Sequence, residues 1–206
     1  MKKTTAIILA AGTASRMQTQ KLTLPLAGKV MLQHTIDLVQ NCLFDEAILV
    51  TTREIAQSIQ TDMQVIYNER PELGQSESIR RGTMHAAEGN HLFFFLGDQP
   101  FLDRETVGRM QSLDDGASII RPIRADGSLA SPALFAPKFR AELLALSGDI
   151  GGRAICNKHK AAIKTVSVSC ERVLWDIDTA AEYERANQYQ TESKRFEESD
   201  KMKKAD

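Results

Sequence analysis

In AIILAAGTASRMQTQKLTLPL, residues 6–26, an apolar run gives way to small residues, Ala10, Ala11, Gly12, Thr13, Ala14 and Ser15, and then to Arg16 and Lys21. Small side chains let backbone N–H groups approach an anion closely. Arg16 can grip phosphate oxygens with its planar fork, and Lys21 adds a point charge. The stretch is neither the dinucleotide fingerprint nor the P-loop, because Gly12 is its one glycine. A triphosphate suits such a loop; so does a tight turn with two solvated cations.

Three other stretches carry polar groups at telling places. Asp98 closes the apolar run HLFFFLGD and precedes Gln99-Pro100, so its carboxylate falls at the edge of a sheet rather than in the core. Hard Mg2+ takes one or two carboxylates and completes its shell with water and phosphate oxygens; a turn or helix-capping aspartate is the alternative. LWDIDT offers Asp176 and Asp178 on one side of an extended segment, and there too Asp178 could simply cap a helix starting near Thr179. GQSESIRRG sets Gly74, Ser76 and Ser78 before Arg80 and Arg81. Its hydroxyls could read a base edge or begin a helix.

These stretches need strands and helices to hold them, and the two alternate along the chain. Strands are expected at residues 6–10, 47–52, 64–68 and 91–98, the first without polar alternation, as when helices cover both faces. Helices are expected at 30–42, with Leu32, Ile36, Val39 and Leu43 at helical spacing, and at 54–60, 78–87 and 105–112, the last capped by Asp103. ASIIRPI and LASPALF flank RADGS, whose Asp-Gly pair favours a hairpin. A helix from Pro137 through Leu146, another at 153–158, a strand in AIKTVSV and a closing helix at 179–189 follow. The alternation predicts a three-layer α/β sandwich with a mainly parallel sheet, whose ligands gather at the carboxyl ends of the strands. Residues 1–190 are expected to form one domain, and the charged residues 191–206 a disordered tail.

Bulk composition narrows the function. A chain of 206 residues with net charge −1 has no electrostatic footprint for nucleic acid or an anionic membrane. No apolar run approaches the roughly 18 residues of a membrane helix. Three scattered cysteines argue for a reducing compartment, and the four histidines form no zinc-like cluster. A cytoplasmic location is expected.

LAAGTASRMQTQKL, GQSESIRRG, LGDQPF, SPALF, GDIGGRAI and DIDTAAEYERA occur in the order and spacing of one family. Over about residues 5–190 the chain resembles the nucleotidyltransferases of the molybdenum cofactor group, in particular the molybdenum cofactor cytidylyltransferases and their relatives that serve molybdenum hydroxylases. The resemblance implies a Rossmann-like sheet of the nucleotidyltransferase type and transfer of a cytidylyl group from CTP to the terminal phosphate of molybdopterin, releasing pyrophosphate. It implies that Leu9, Ala10, Ala11 and Gly12 wrap the nucleotide, with Gly74, Ser76 and Ser78 also in contact. By the same resemblance Arg16 and Lys21 hold the triphosphate, Asp98 is the Mg2+ ligand, and Asp176 and Asp178 complete the metal site. Relatives that use GTP usually read LAGG and those that use CTP read LAAG, so Ala11 leans to CTP. Ser131, Pro132, Asp149 and Arg153 fall in family-like blocks and are the candidates for the pterin pocket. Transient contact with a molybdenum hydroxylase is also implied. The chain departs from the pattern at Gln18, where relatives usually carry glycine. Guanylyl or sugar-phosphate nucleotidyl transfer, and a non-catalytic maturation factor that binds nucleotide or cofactor, are the other readings.

Overall fold

Apolar runs without alternation become strands covered on both faces. The computed structural model describes residues 2–12 and 20–190. In chain order its elements are β1 (Thr4–Ala10), β2 (Pro25–Leu26), β3 (Lys29–Val30), α1 (Met31–Gln40), β4 (Glu46–Thr51), α2 (Arg53–Ala56), β5 (Gln64–Tyr67), α3 (Gln75–His85), β6 (His91–Leu96), α4 (Arg104–Ser112), β7 (Ile119–Ile123), β8 (Ala133–Phe135), α5 (Arg140–Leu144), α6 (Arg153–Lys158) and β9 (Ile163–Ser167). Residues 180–190 form the closing helix α7. The main sheet has the order β5-β4-β1-β6-β8-β7-β9. Its first four strands are parallel. β8 runs antiparallel between β6 and β7, and β9 returns parallel to β7.

Residues along each strand alternate between two cores. Ala6, Ile8 and Ala10 of β1 and Phe93 and Phe95 of β6 pack with Leu32, Ile36 and Val39 of α1 and Val107 and Met110 of α4. Ile7, Leu92 and Phe94 pack on the opposite face with Ile79 of α3, Leu143 of α5 and Ile155 of α6. Helices, sheet and helices thus make three layers. Phe93 and Phe95 stack at 4.5 Å, with Phe44 edge-on to both at 5.8 Å. Each such fully buried side chain contributes roughly 1.5–3 kcal/mol, so β1 and β6 form a rigid centre whose carboxyl ends carry the polar residues.

Asp103 caps α4 as expected, its Oδ1 accepting from Thr106 N at 2.8 Å. The RADGS turn closes the β7–β8 hairpin, with Arg124 N donating to Ser128 O at 2.9 Å. Three expectations are corrected. Leu43 is not on the apolar face of α1 but 91% exposed, because the helix ends at Gln40. The helix expected through residue 60 stops at Ala56. The helix expected from Pro137 divides into a 3-10 turn, Pro137–Phe139, and the short α5. The tail, 191–206, and Thr13–Ser15, Arg16 and Gln18 lie outside the described residues.

Candidate active site

Asp98 stands just beyond the carboxyl end of β6, behind Gly97. A Cβ on Gly97 would lie 2.8 Å from Leu32 Cδ1 and 3.3 Å from the Ala10 side chain, so glycine lets the chain press against β1 and α1 before turning out. Leu9 O holds Gly97 N at 3.1 Å. Lys21 begins a 3-10 turn, Lys21–Thr23, anchored by buried Leu22. Its ammonium donates to Asp98 Oδ2 and to Asp178 Oδ1, both at 2.6 Å. Residues 157 positions apart in the chain meet there.

The segment carrying Asp176 and Asp178 is fixed from both sides. Ile177 N donates to Asp98 O at 3.1 Å, and the Ile177 side chain packs with Leu26, Met31 and Ala186. The cap of α7 is not Asp178. Thr179 Oγ1 accepts from Glu182 N at 3.3 Å, while Glu182 Oε2 accepts from Thr179 N at 2.9 Å. With this reciprocal capping box in place, Asp178 pairs with Lys21 and does not cap the helix. Asp176 is held differently: Arg124, from the β7–β8 turn, donates to its Oδ2 at 3.0 Å and to Leu174 O at 2.9 Å.

Electrostatics single out this cluster. Burial, with the Asp98 charge close by, pushes the Asp176 carboxyl up to about 6 against the opposing pull of Arg124 and neighbouring Gln99. Burial alone would lower the Lys21 ammonium, yet Asp98 and Asp178 together hold it above its ordinary value. Three carboxylates face the two cations Lys21 and Arg124. Asp98 Oδ1 and Asp176 Oδ1 are buried and lack a close hydrogen-bond partner among the described residues. Buried polar atoms are seldom left so. Among the described residues no cluster of three or more His, Cys, Asp or Glu could hold a metal unaided. A divalent cation that takes one or two carboxylates and fills its shell with phosphate oxygens and water does fit the excess negative charge here.

Around the cluster, Leu9 and Ala10 end β1 and lead into Ala11 and Gly12 between the ends of β4 and β6. Ala10 O accepts from Thr51 Oγ1 at 3.0 Å, Ala11 is 3% exposed, and a Cβ on Gly12 would meet nothing within 4 Å. Gly74 lies with φ +85°, and a Cβ there would fall 2.7 Å from Asp149 Cα. Ser76 Oγ donates to Gly148 O at 2.5 Å, and Ser78 Oγ accepts from buried Asn68 Nδ2 at 3.0 Å. Both hydroxyls are engaged within the protein. Glu77 pairs with Arg80 and Arg81 at 2.7 and 2.8 Å. The pterin candidates divide. Ser131, joined to buried Pro132, accepts from Gln99 Nε2 through its carbonyl at 3.3 Å, beside the carboxylates. Asp149 sits against Gly74, and Arg153 is exposed at the start of α6.

Two residues of the cluster, Arg124 and Gln99, are not singled out by sequence reasoning. Arg124 reads only as part of a turn, and its partner lies 52 residues away. Gln99 carried a signal, since it directly follows Asp98.

A family model described as a MobA-like NTP transferase domain matches residues 6–163. The chain belongs to this family. The chain is 31% identical over 106 residues to the bifunctional protein GlmU of Desulfitobacterium hafniense, a match covering 50% of this chain and 23% of that protein. It is 32% identical over 110 residues to a probable molybdenum cofactor guanylyltransferase of Natranaerobius thermophilus, covering 52% of this chain and 53% of that protein. The chain therefore spans about a quarter of the first and half of the second. Rv0371c from Mycobacterium tuberculosis H37Rv, solved also in complex with manganese, superposes with TM-scores of 0.79 and 0.77 at 25% identity, over 91% of this chain and 98% and 99% of that one. A nucleotidyl transferase from Methanothermobacter thermautotroptrophicus shares the fold, with TM-score 0.82 and 22% identity over 94% of this chain and all of that one.

Proposed function

We propose that the protein transfers a cytidylyl group from CTP to the terminal phosphate of molybdopterin and releases pyrophosphate. The observation that carries nucleotidyl transfer is the cluster itself: the unpartnered oxygens of Asp98 and Asp176 beside Lys21, at the carboxyl edge of a parallel sheet. Attack by a phosphate oxygen on the α-phosphorus forms one P–O bond and breaks the α–β bridge. The attacking phosphate is already anionic, so no general base is needed, and positioning with charge neutralisation dominates.

Asp98 and Asp176 are the residues to hold Mg2+, with Asp178 flanking them. Bound there, Mg2+ supplies the charge that lets two anions approach. The rise at Asp176, caused by burial beside the Asp98 charge, fits a carboxylate placed to receive positive charge. Lys21, with Arg16 of the first loop, takes up charge developing on pyrophosphate. The manganese complex of Rv0371c supports a divalent ion in this fold.

Ala11 favours CTP through the family pattern. The match to a probable molybdenum cofactor guanylyltransferase favours GTP as the second reading. Pyrophosphate release with molybdopterin and each of CTP, GTP, ATP and UTP separates them. CTP is expected to give the highest kcat/KM, by on the order of a hundredfold over GTP, because a pocket built for one base leaves polar groups unpaired against another. A dominant guanine dinucleotide product would reject the cytidylyl reading.

A further inference from the structure

Arg124, just past the end of β7, has donors left over. Its Nη2 alone makes its two contacts, to Asp176 Oδ2 at 3.0 Å and to Leu174 O at 2.9 Å. Nε and Nη1 have no partner among the described residues, and the side chain is 26% exposed, open to a ligand. Two other acids near the turn are engaged elsewhere: Asp126 Oδ1 accepts from Ser128 N at 2.8 Å, and Glu171 Oε1 from Ala125 N at 2.6 Å. A guanidinium is always charged and donates through several N–H groups at once, so it can hold a carboxylate and a phosphate together.

Register places this cation beside Asp98. Ile120 of β7 and Phe93 of β6 both pair with Leu134 of β8. Counting on from 120 to 124 and from 93 to 97, Arg124 falls level with Gly97, the residue before Asp98. Its partner Asp176 precedes Ile177, whose N donates to Asp98 O at 3.1 Å. Lys21 follows the loop after β1, whereas Arg124 follows β7, and the order β1-β6-β8-β7 puts the β6 end with Asp98 between them. The two cations thus approach the carboxylates from opposite sides. In transfer from a triphosphate, the attacking and leaving oxygens are roughly in line across the phosphorus. With Lys21 on the pyrophosphate, the attacking oxygen comes from the side of Arg124. Once Asp176 also serves a divalent cation, its charge no longer offsets Arg124 in full.

We propose that Arg124 binds the acceptor's phosphate monoester and holds it toward the α-phosphorus, on the side of the carboxylates away from Lys21. The assignment rests on the nucleotidyl-transfer reading and gives the second anion a cation of its own. Contact with Asp176 keeps the guanidinium, and the anion it holds, next to the residues for the metal.

The test uses the full chain with α,β-methylene-CTP, which cannot be cleaved at that bridge, Mn2+ below the protein concentration, and phenyl phosphate as a bare monoester. Bound Mn2+ speeds relaxation of a nearby phosphorus nucleus, so the relaxation of phenyl phosphate reports a monoester beside the metal. The parent protein is expected to show a saturable rise. Arg124→Gln, which keeps an N–H donor for Asp176 but no charge, should weaken monoester binding by about tenfold or more, the scale of a lost charged hydrogen bond, and Arg124→Lys should keep part of it. Arg124→Met should behave as Arg124→Gln does and replaces it if that variant fails to fold. Electron paramagnetic resonance of the same samples should show Mn2+ uptake with the analogue unchanged by these substitutions. Equal monoester relaxation in the parent and Arg124→Gln overturns the assignment. Loss of Mn2+ uptake in Arg124→Gln also overturns it, because Arg124 would then serve Asp176 or the nucleotide instead. A parent protein that takes up no Mn2+ with the analogue rejects the nucleotidyl-transfer reading itself, and this assignment with it.

Discussion

Two regions at the strand ends are built on different physics. Around Asp98 the parts are held by charge: Lys21 joins Asp98 to Asp178 at 2.6 Å, and Arg124 holds Asp176. Around Gly74 they are held by shape. There backbone meets backbone, a Cβ on Gly74 would be 2.9 Å from Gly148 O, and Ser76 is tied to the same carbonyl. The first region should tolerate a change of shape but not of charge. The second should do the reverse.

The largest effect is expected from Asp98→Asn, which keeps the shape and removes the charge. Turnover should fall by roughly a thousandfold, the scale of one electrostatic group in an active site, while the melting temperature stays within a few degrees of the parent. Activity equal to the parent's would remove Asp98 from the mechanism. Lys21→Met comes next. It removes the cation that joins two carboxylates and, in the proposed reaction, a stabiliser of pyrophosphate. Steady-state kinetics should show both a higher nucleotide KM and a kcat lower by about tenfold to a hundredfold.

Gly74→Ala tests the other region. A φ of +85° and contact with Asp149 Cα oppose any side chain there. Destabilisation of about 1–3 kcal/mol is expected in urea unfolding, with a smaller effect on kcat than Asp98→Asn. A stable protein with an unchanged midpoint would show that the loops yield freely. The smallest effect belongs to Ser76→Ala, which removes one hydrogen bond worth about 1 kcal/mol and should leave turnover within a few-fold. A loss as large as that of Asp98→Asn would mean that the hydroxyl serves the nucleotide after all.

The same contrast explains what was legible in the sequence. The layers followed from local pattern, because short apolar runs such as that at β6 alternate along the chain with helix-like segments, as in a sheet covered on both faces. Asp98 stood out because it follows the apolar run of β6, and Lys21 because it is a cation closing the small-residue stretch after β1. The engagement of Ser76 with Gly148 was hidden, since it joins loops 72 residues apart. Arg124 was hidden for the same reason. That Asp178 does not cap α7 follows from a local signal that was present but outweighed: Thr179 and Glu182 already spell a capping box. Leu43 has helical spacing, yet the helix stops at Gln40 before that spacing can act.

Manganese binding followed by electron paramagnetic resonance tests the central claim most directly. With CTP present, the parent protein should deplete the free Mn2+ signal, and Asp98→Asn should weaken that uptake by at least about tenfold, as expected when a hard cation loses a carboxylate. Equal uptake by the two proteins would contradict a metal-nucleotide site at Asp98.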